Sequence, residues 1–152
     1  MKIGRLRHRV VFLKPAEEMQ NSAGEWVQTY KPWKNGVDLN LQIDGETVFL
    51  TDGHEGNARL RVISEVPFAS LASYAVWAEV APKTGREYEE SQKIRAETTY
   101  NIMVRYMPGI TQDMRIRFKD HVFKIVSVLN ADMKNEYCQI VAFEDDRTCE
   151  YG

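Results

Sequence analysis

The chain has 152 residues, a formal net charge of −2, 43% hydrophobic and 11% aromatic residues. That length suits one domain able to bury roughly 70% of its unfolded surface, and the charge excludes a polyanion binder acting by bulk electrostatics. No run of about 18 apolar residues occurs, so no transmembrane helix is expected, and the apolar stretch behind the basic N-terminus is too short for a signal peptide.

Strand signals dominate. Residues 6–13 place Leu6, His8, Val10 and Phe12 on one face and Arg7, Arg9, Val11 and Leu13 on the other. The alternation starts as apolar against basic and becomes apolar on both faces, which fits a closed barrel with a protein partner outside. "NSAGEW" reads as a turn and "WVQTY", 26–30, as a second strand. In "LNLQIDGETVFL", 39–50, Asp44-Gly45 between alternating segments predicts a hairpin, because a type I′ turn needs positive φ at both central residues. "TDGHEGN" is a turn-rich break, and "RLRVISEV" a further strand closed by Pro67. Residues 31–73 together read as an excursion with its own β structure, expected as an extended loop.

Tyr74 to Ala81 is a strand, ended by Pro82. A helix is predicted over 86–96: Thr84 caps it, Glu87 completes a capping box, and Lys93 and Arg95 suit the negative end of its dipole. Helix electrostatics thus account for Glu87, Glu89 and Glu90 without catalysis. Strands follow at 98–106, 114–118, 121–128 and 136–143, with "KDH" as a tight hairpin connection. Roughly seven to nine short strands joined by turns point to a small barrel or sandwich.

Motifs for chemistry are scarce. There is no phosphate-binding loop, dinucleotide fingerprint, nucleophile elbow or zinc-protease motif. His8, His54 and His121 are far apart, and Asp52, His54 and Glu55, the compact ligand-like cluster, sit where turn chemistry favours such residues. Cys138 has no base beside it, and Cys138 and Cys149 do not form a disulfide framework. No enzyme, cofactor or metal is expected. Arg105, Arg115, Arg117, Lys119 and Lys124 would serve an OB-like single-strand binder, but the arginines of "MRIRF" alternate with apolar residues as on the solvent face of an antiparallel strand. Trp77 and Tyr74 are expected in the core, and Trp26 and Trp33 on contact surfaces.

The order of pieces is informative: "GRLRHRVVFLKP" at 4–15, "SAGEWVQTY" at 22–30, "VWAEVAPKTGREYEES" at 76–91, "TYNIMVRYMPGIT" at 99–111, "MRIRFKDHVFKIVSV" at 114–128 and "NEYCQIVAFE" at 135–144. Taken together they resemble the phage head-closure family, also called head–tail joining or stopper proteins. The departure is residues 31–73, longer than the family's usual connection.

The resemblance implies a mainly β fold: a small antiparallel β-barrel with one short helix and a long β-rich loop insertion. Residues 1–152 would form one such domain, with the inserted loop at about 31–73 and an acidic tail at 144–152. It implies a virion structural protein of the phage neck, made in the bacterial host cytoplasm. This protein would form a twelve-fold homo-oligomeric ring below the portal and adaptor. The ring would close the channel on packaged double-stranded DNA and offer the tail, or a tail-terminator protein, its attachment surface. A tail-completion protein of the neck is the alternative within the same setting. Near-neutral charge suits a DNA conduit, since a strongly basic channel would hold DNA that must later slide out. In the family, the corresponding loop can project into the channel. Trp33, Asp44, Gly45, Asp52, His54 and Glu55 are therefore candidate channel-closing or interface residues. The opposed charge of the two ends makes Arg5, Arg7 and Arg9, with Glu144, Asp145 and Asp146, candidate contacts between subunits or with the adaptor.

Overall fold

The computed structural model describes residues 6–52, 59–82, 98–130 and 136–144. The predicted helix over 86–96 and the loop 131–135 lie outside the described residues. The strands are β1 (His8–Gln20), β2 (Trp26–Lys34), β3 (Val37–Asp38), β4 (Leu41–Ile43), β5 (Glu46–Thr51), β6 (Leu60–Val62), β7 (Val76–Pro82), β8 (Thr98–Arg105), β9 (Arg115–Phe118), β10 (His121–Asn130) and β11 (Tyr137–Glu144). One short helix, α1 (Phe68–Leu71), lies between β6 and β7. The fold is mainly β.

The strand β1 is the hub. Its residues His8–Val10 pair with β7, Val11–Leu13 with β9, and Phe12–Gln20 with β2. From β7 the ladder runs through β8, β11, β10 and β9 and returns to β1, a circuit of antiparallel pairs. On the other flank, β2 pairs with β3 and β5, β5 with β4, and β6 lies parallel to β5.

Two apolar clusters follow from period-2 alternation on β1. Val10 and Phe12 point into a cluster with Trp33, Ile102, Val104, Ile116, Phe123 and Ile140. Val11 and Leu13 point the opposite way, into a cluster with Tyr30, Leu41, Val48, Leu50, Ile63 and Leu71. This is why "VVFL" is apolar on both faces. The partner covering its outer face is the chain's own 37–75 segment rather than another protein. The segment expected as an extended loop is a packed layer, folded by two hairpin turns. Asp44 and Gly45 have φ of 53° and 81°, as a type I′ turn requires. Asn35-Gly36, with φ of 52° and 89°, makes the same turn between β2 and β3.

The strand arginines are likewise turned inward. Arg117 is 1% exposed. Its Nη1 donates to the Ile63 carbonyl at 2.6 Å and its Nε to that of Lys119. Burial pushes its guanidinium below the usual arginine range, opposed by Asp120. Arg115 donates to Asp52 at 3.1 Å and lies over the Tyr30 ring at 5.1 Å. These side chains clamp the 37–75 layer onto β9; they do not form a solvent face.

Candidate interface surfaces

Two exposed features and one partly buried aromatic cluster stand out, and the sheet register explains each. The first is a cleft at the start of β1. Arg9 pairs across the ladder with Trp77, and its guanidinium stacks over that indole at 4.9 Å while donating to the Ala72 carbonyl at 3.1 Å. Trp77 is 54% exposed, so the expectation that it fills the core is corrected. In β7, Val76, Ala78 and Val80 face the first cluster, which leaves Trp77 on the outer face with Glu79. Lys34, Arg105 and Met107 complete a cleft of about 310 Å³ with three cations and no carboxylate among its described lining residues.

The second feature is the distal β1–β2 hairpin. The sequence predicts a strand ending near Leu13, but β1 continues through Pro15 to Gln20. A β-bulge between Pro15 and Glu18 absorbs the irregularity of a residue without an N–H. The Gln28 amide donates to the Ala16 carbonyl at 2.5 Å, and the Thr29 hydroxyl to that of Glu17, so the bulged carbonyls are satisfied. The turn is held by the Asn21 side chain, which accepts from the Ala23 and Glu25 amides. Beyond the bulge the two strands pair only with each other among the described residues. Trp26, 67% exposed, stands at the tip.

The third feature is an aromatic end. His8 meets Phe118 edge-on at 5.2 Å, His121 stacks near Phe118 and Phe123, and Tyr100 lies 4.7 Å from Phe123. His121 Nδ1 and Glu144 Oε2 are 2.6 Å apart. Nearby, Val126 at the β10 bulge is exposed, as is Leu129 further along that strand.

The candidate residues scatter over these features. Trp33 is corrected from contact surface to core: it is 2% exposed, edge-on to Phe12, and 3.3 Å from where a Cβ on Gly109 would stand. Asp44 and Gly45 occupy an exposed hairpin tip, whereas Asp52 is engaged by Arg115. Arg7 and Arg9 are exposed at the start of β1. Glu144 is half-buried and bonded to His121, in the same aromatic cluster as His8 at the start of β1. Arg5, His54, Glu55, Asp145 and Asp146 lie outside the described residues. Tyr74 is half-buried and donates its hydroxyl to the Asn40 carbonyl at 2.9 Å. Lys34, a lone cation at a strand end, carries no signal in the sequence, and Arg105 reads there only as one of the cations of an OB-like groove. The outward phase of Trp77, two residues before Glu79, was the legible signal.

Among the described residues no group of three His, Cys, Asp or Glu side chains converges to hold a metal, and no helix is long and apolar enough to cross a membrane. A mainly β chain whose exposed features are a cationic cleft and an acidic hairpin has the character of a binding and assembly protein. A family model described as "Phage head completion protein" matches residues 1–145. The chain therefore belongs to the phage head completion protein family, a family of virion structural proteins and not of enzymes.

Among solved structures, the chain is similar to protein SF1141 from Shigella flexneri 2a. The two share 20% identity with a TM-score of 0.52, over 96% of this chain and 98% of that one. It also matches a chain in the virion of a native gene transfer agent particle, at 18% identity and a TM-score of 0.49, over 92% of this chain and 96% of that one. No curated protein matches.

Proposed function

We propose that this protein is a ring component of the phage neck, docking below the portal and adaptor after packaging, closing the channel on the DNA and presenting the tail attachment surface. The observation that carries this reading is the head completion family match over residues 1–145. The ring would be twelve-fold to fit the portal above it, and the circuit of β1, β7, β8, β11, β10 and β9 would act as a small rigid β-barrel. Rings of identical subunits need two different patches on each subunit. The acidic tip of the β1–β2 hairpin and the cationic Trp77 cleft, at opposite ends of β2, are consistent with that need. Arg5, Arg7 and Arg9 would meet acids of a neighbour or of the adaptor, and Glu144, Asp145 and Asp146 would serve as further contacts between subunits or with the adaptor. Within 31–73, the exposed Asp44–Gly45 tip would be one part that meets the channel or a neighbour, and His54 and Glu55 remain candidates for the same role. Arg115 and Arg117, which an OB-like nucleic-acid groove would have used, are engaged inside the chain, and this weighs against that alternative.

The test is electron microscopy of a lysate from the parent phage carrying an early stop codon in this gene. Free tails beside heads that have lost their DNA are the expected result. DNA-filled heads that fail only at tail attachment would move the protein to a neighbouring tail-completion role. Normal infectious particles would overturn the reading.

A further inference from the structure

The distal hairpin and the Trp77 cleft carry complementary chemistry. Between Lys14 and Lys31 the chain contains Glu17, Glu18 and Glu25 and no Lys or Arg, and these three carboxylates are exposed. Trp26 projects among them. The cleft offers Arg9, Lys34 and Arg105 around a half-exposed indole and the buried Met107. A two-stranded ribbon whose described residues pair with no third strand is marginal by itself. An exposed tryptophan at such a tip is the kind of side chain that anchors interfaces, and cations beside an indole favour an aromatic guest through its ring face.

Geometry decides whether the two can meet within one molecule. Lys34 ends β2 and Trp26 begins it, so the cleft and the tip lie at opposite ends of one ladder. At about 3.3 Å per residue they are roughly 26 Å apart along a strand that cannot fold back on itself. We infer that the β1–β2 hairpin of one copy, with Trp26 leading and Glu17, Glu18 and Glu25 alongside, docks into the Arg9–Lys34–Trp77–Arg105 cleft of a second copy. The contact joins two different patches, so each copy has a tip to give and a cleft to fill. Such a contact propagates head to tail, and closes where the rotation allows. The inference rests on the ring reading above and names the surfaces that would make the ring.

The test uses the full-length chain in particles. A photoreactive amino acid replaces Trp26, supplied by suppression of an amber codon during infection, and purified particles are irradiated. The expected product is a cross-linked dimer of this chain that joins position 26 to peptides carrying Lys34, Trp77 or Arg105. Cross-links from position 26 to a different virion protein, or to other surfaces of this chain, overturn the inference and leave the neck role standing. A chain absent from the particles overturns both. A charge exchange checks the same contact without chemistry. A hairpin variant, Glu17→Lys, Glu18→Lys and Glu25→Lys, and a cleft variant, Lys34→Glu and Arg105→Glu, are each expected to lower phage yield at least 100-fold. The cleft variant leaves Arg9 in place because it bonds Ala72 within the fold. Supplied together, the two variants attract at every contact where they alternate, and the yield recovers. Wild-type yield from either variant alone, or no recovery from the pair, contradicts the inference.

Discussion

The two halves of β1 are one strand with two fates. From Val10 to Leu13 every side chain is buried, alternately in the first and second clusters, and Phe12 and Leu13 pair with β2 on one side and β9 on the other. Past the bulge at Pro15, the same strand pairs only with β2 among the described residues, and Glu17, Glu18 and Gln20 are exposed. Burial of about 25 cal/mol per Å² of apolar surface is concentrated in the first half. The difference separates two roles along one strand: the proximal half holds two layers together, and the distal half is the part that the inference above assigns to a neighbouring copy.

Substitutions sharpen this contrast, and the largest effect belongs to the proximal half. Phe12→Ala removes a ring wedged between Trp33 and Ile116 and is expected to cost about 3–5 kcal/mol in urea unfolding. A loss below about 1 kcal/mol would show that the two-sided core is not the source of stability. Next comes Arg117→Ala, which leaves the Ile63 and Lys119 carbonyls without their charged donor. Each such bond contributes about 1.5–3 kcal/mol, and the loss should be accompanied by faster hydrogen exchange in β6.

The proximal layer also predicts a pH response. Burial pushes the Tyr30 hydroxyl above the usual tyrosine range, partly opposed by Arg115. A raised folded-state pKa keeps its stabilisation fully below the unfolded value, near pH 10, and loses it as the pH rises towards the folded value. Thermal melts should therefore fall above about pH 10, and Tyr30→Phe should flatten that slope. An unchanged slope would exclude Tyr30 as its source.

Effects in the distal half are smaller. Gly24 sits at the hairpin turn with φ of 82° and open space around its Cα, so Gly24→Ala adds backbone strain of about 1–2 kcal/mol without a clash. Because the ribbon packs on nothing else described, that strain should appear as fraying of the hairpin in hydrogen exchange, with little change in global melting. Smallest of all, Trp26→Ala should leave stability within about 0.5 kcal/mol while lowering assembly. A large loss of stability there would break the distinction between the halves.

How much of this was legible depended on how local the signal was. Alternation in 6–13 and 98–106 placed the inward residues correctly, since Val10, Phe12, Tyr100, Ile102 and Val104 all meet the first cluster. Asp44-Gly45 marked its hairpin because turn chemistry is set by two adjacent residues. Asn35-Gly36 carried the same signal and passed unread. What failed was anything that required knowing which layer covers which face. The arginines of "MRIRF" looked solvent-facing because nothing local reveals that Ile63 and Asp52 lie above them. Trp33 and Trp77 exchanged their expected places for the same reason: a tryptophan suits core and interface alike, and only pairing with Phe12 or Arg9 decides. Among the candidate site residues, the charge of Arg7 and Arg9 was readable, but the cleft that Arg9 forms with Lys34 and Arg105 arises from β1, β2 and β8 meeting in space.

The most direct measurement of the central claim is a cryo-electron microscopy reconstruction of the neck in purified particles of the parent phage. The account predicts a ring of this chain at the head–tail junction, each subunit's β1–β2 hairpin seated against the Trp77 cleft of its neighbour. Density for this chain elsewhere in the particle, or its absence from particles that retain their DNA, would contradict it.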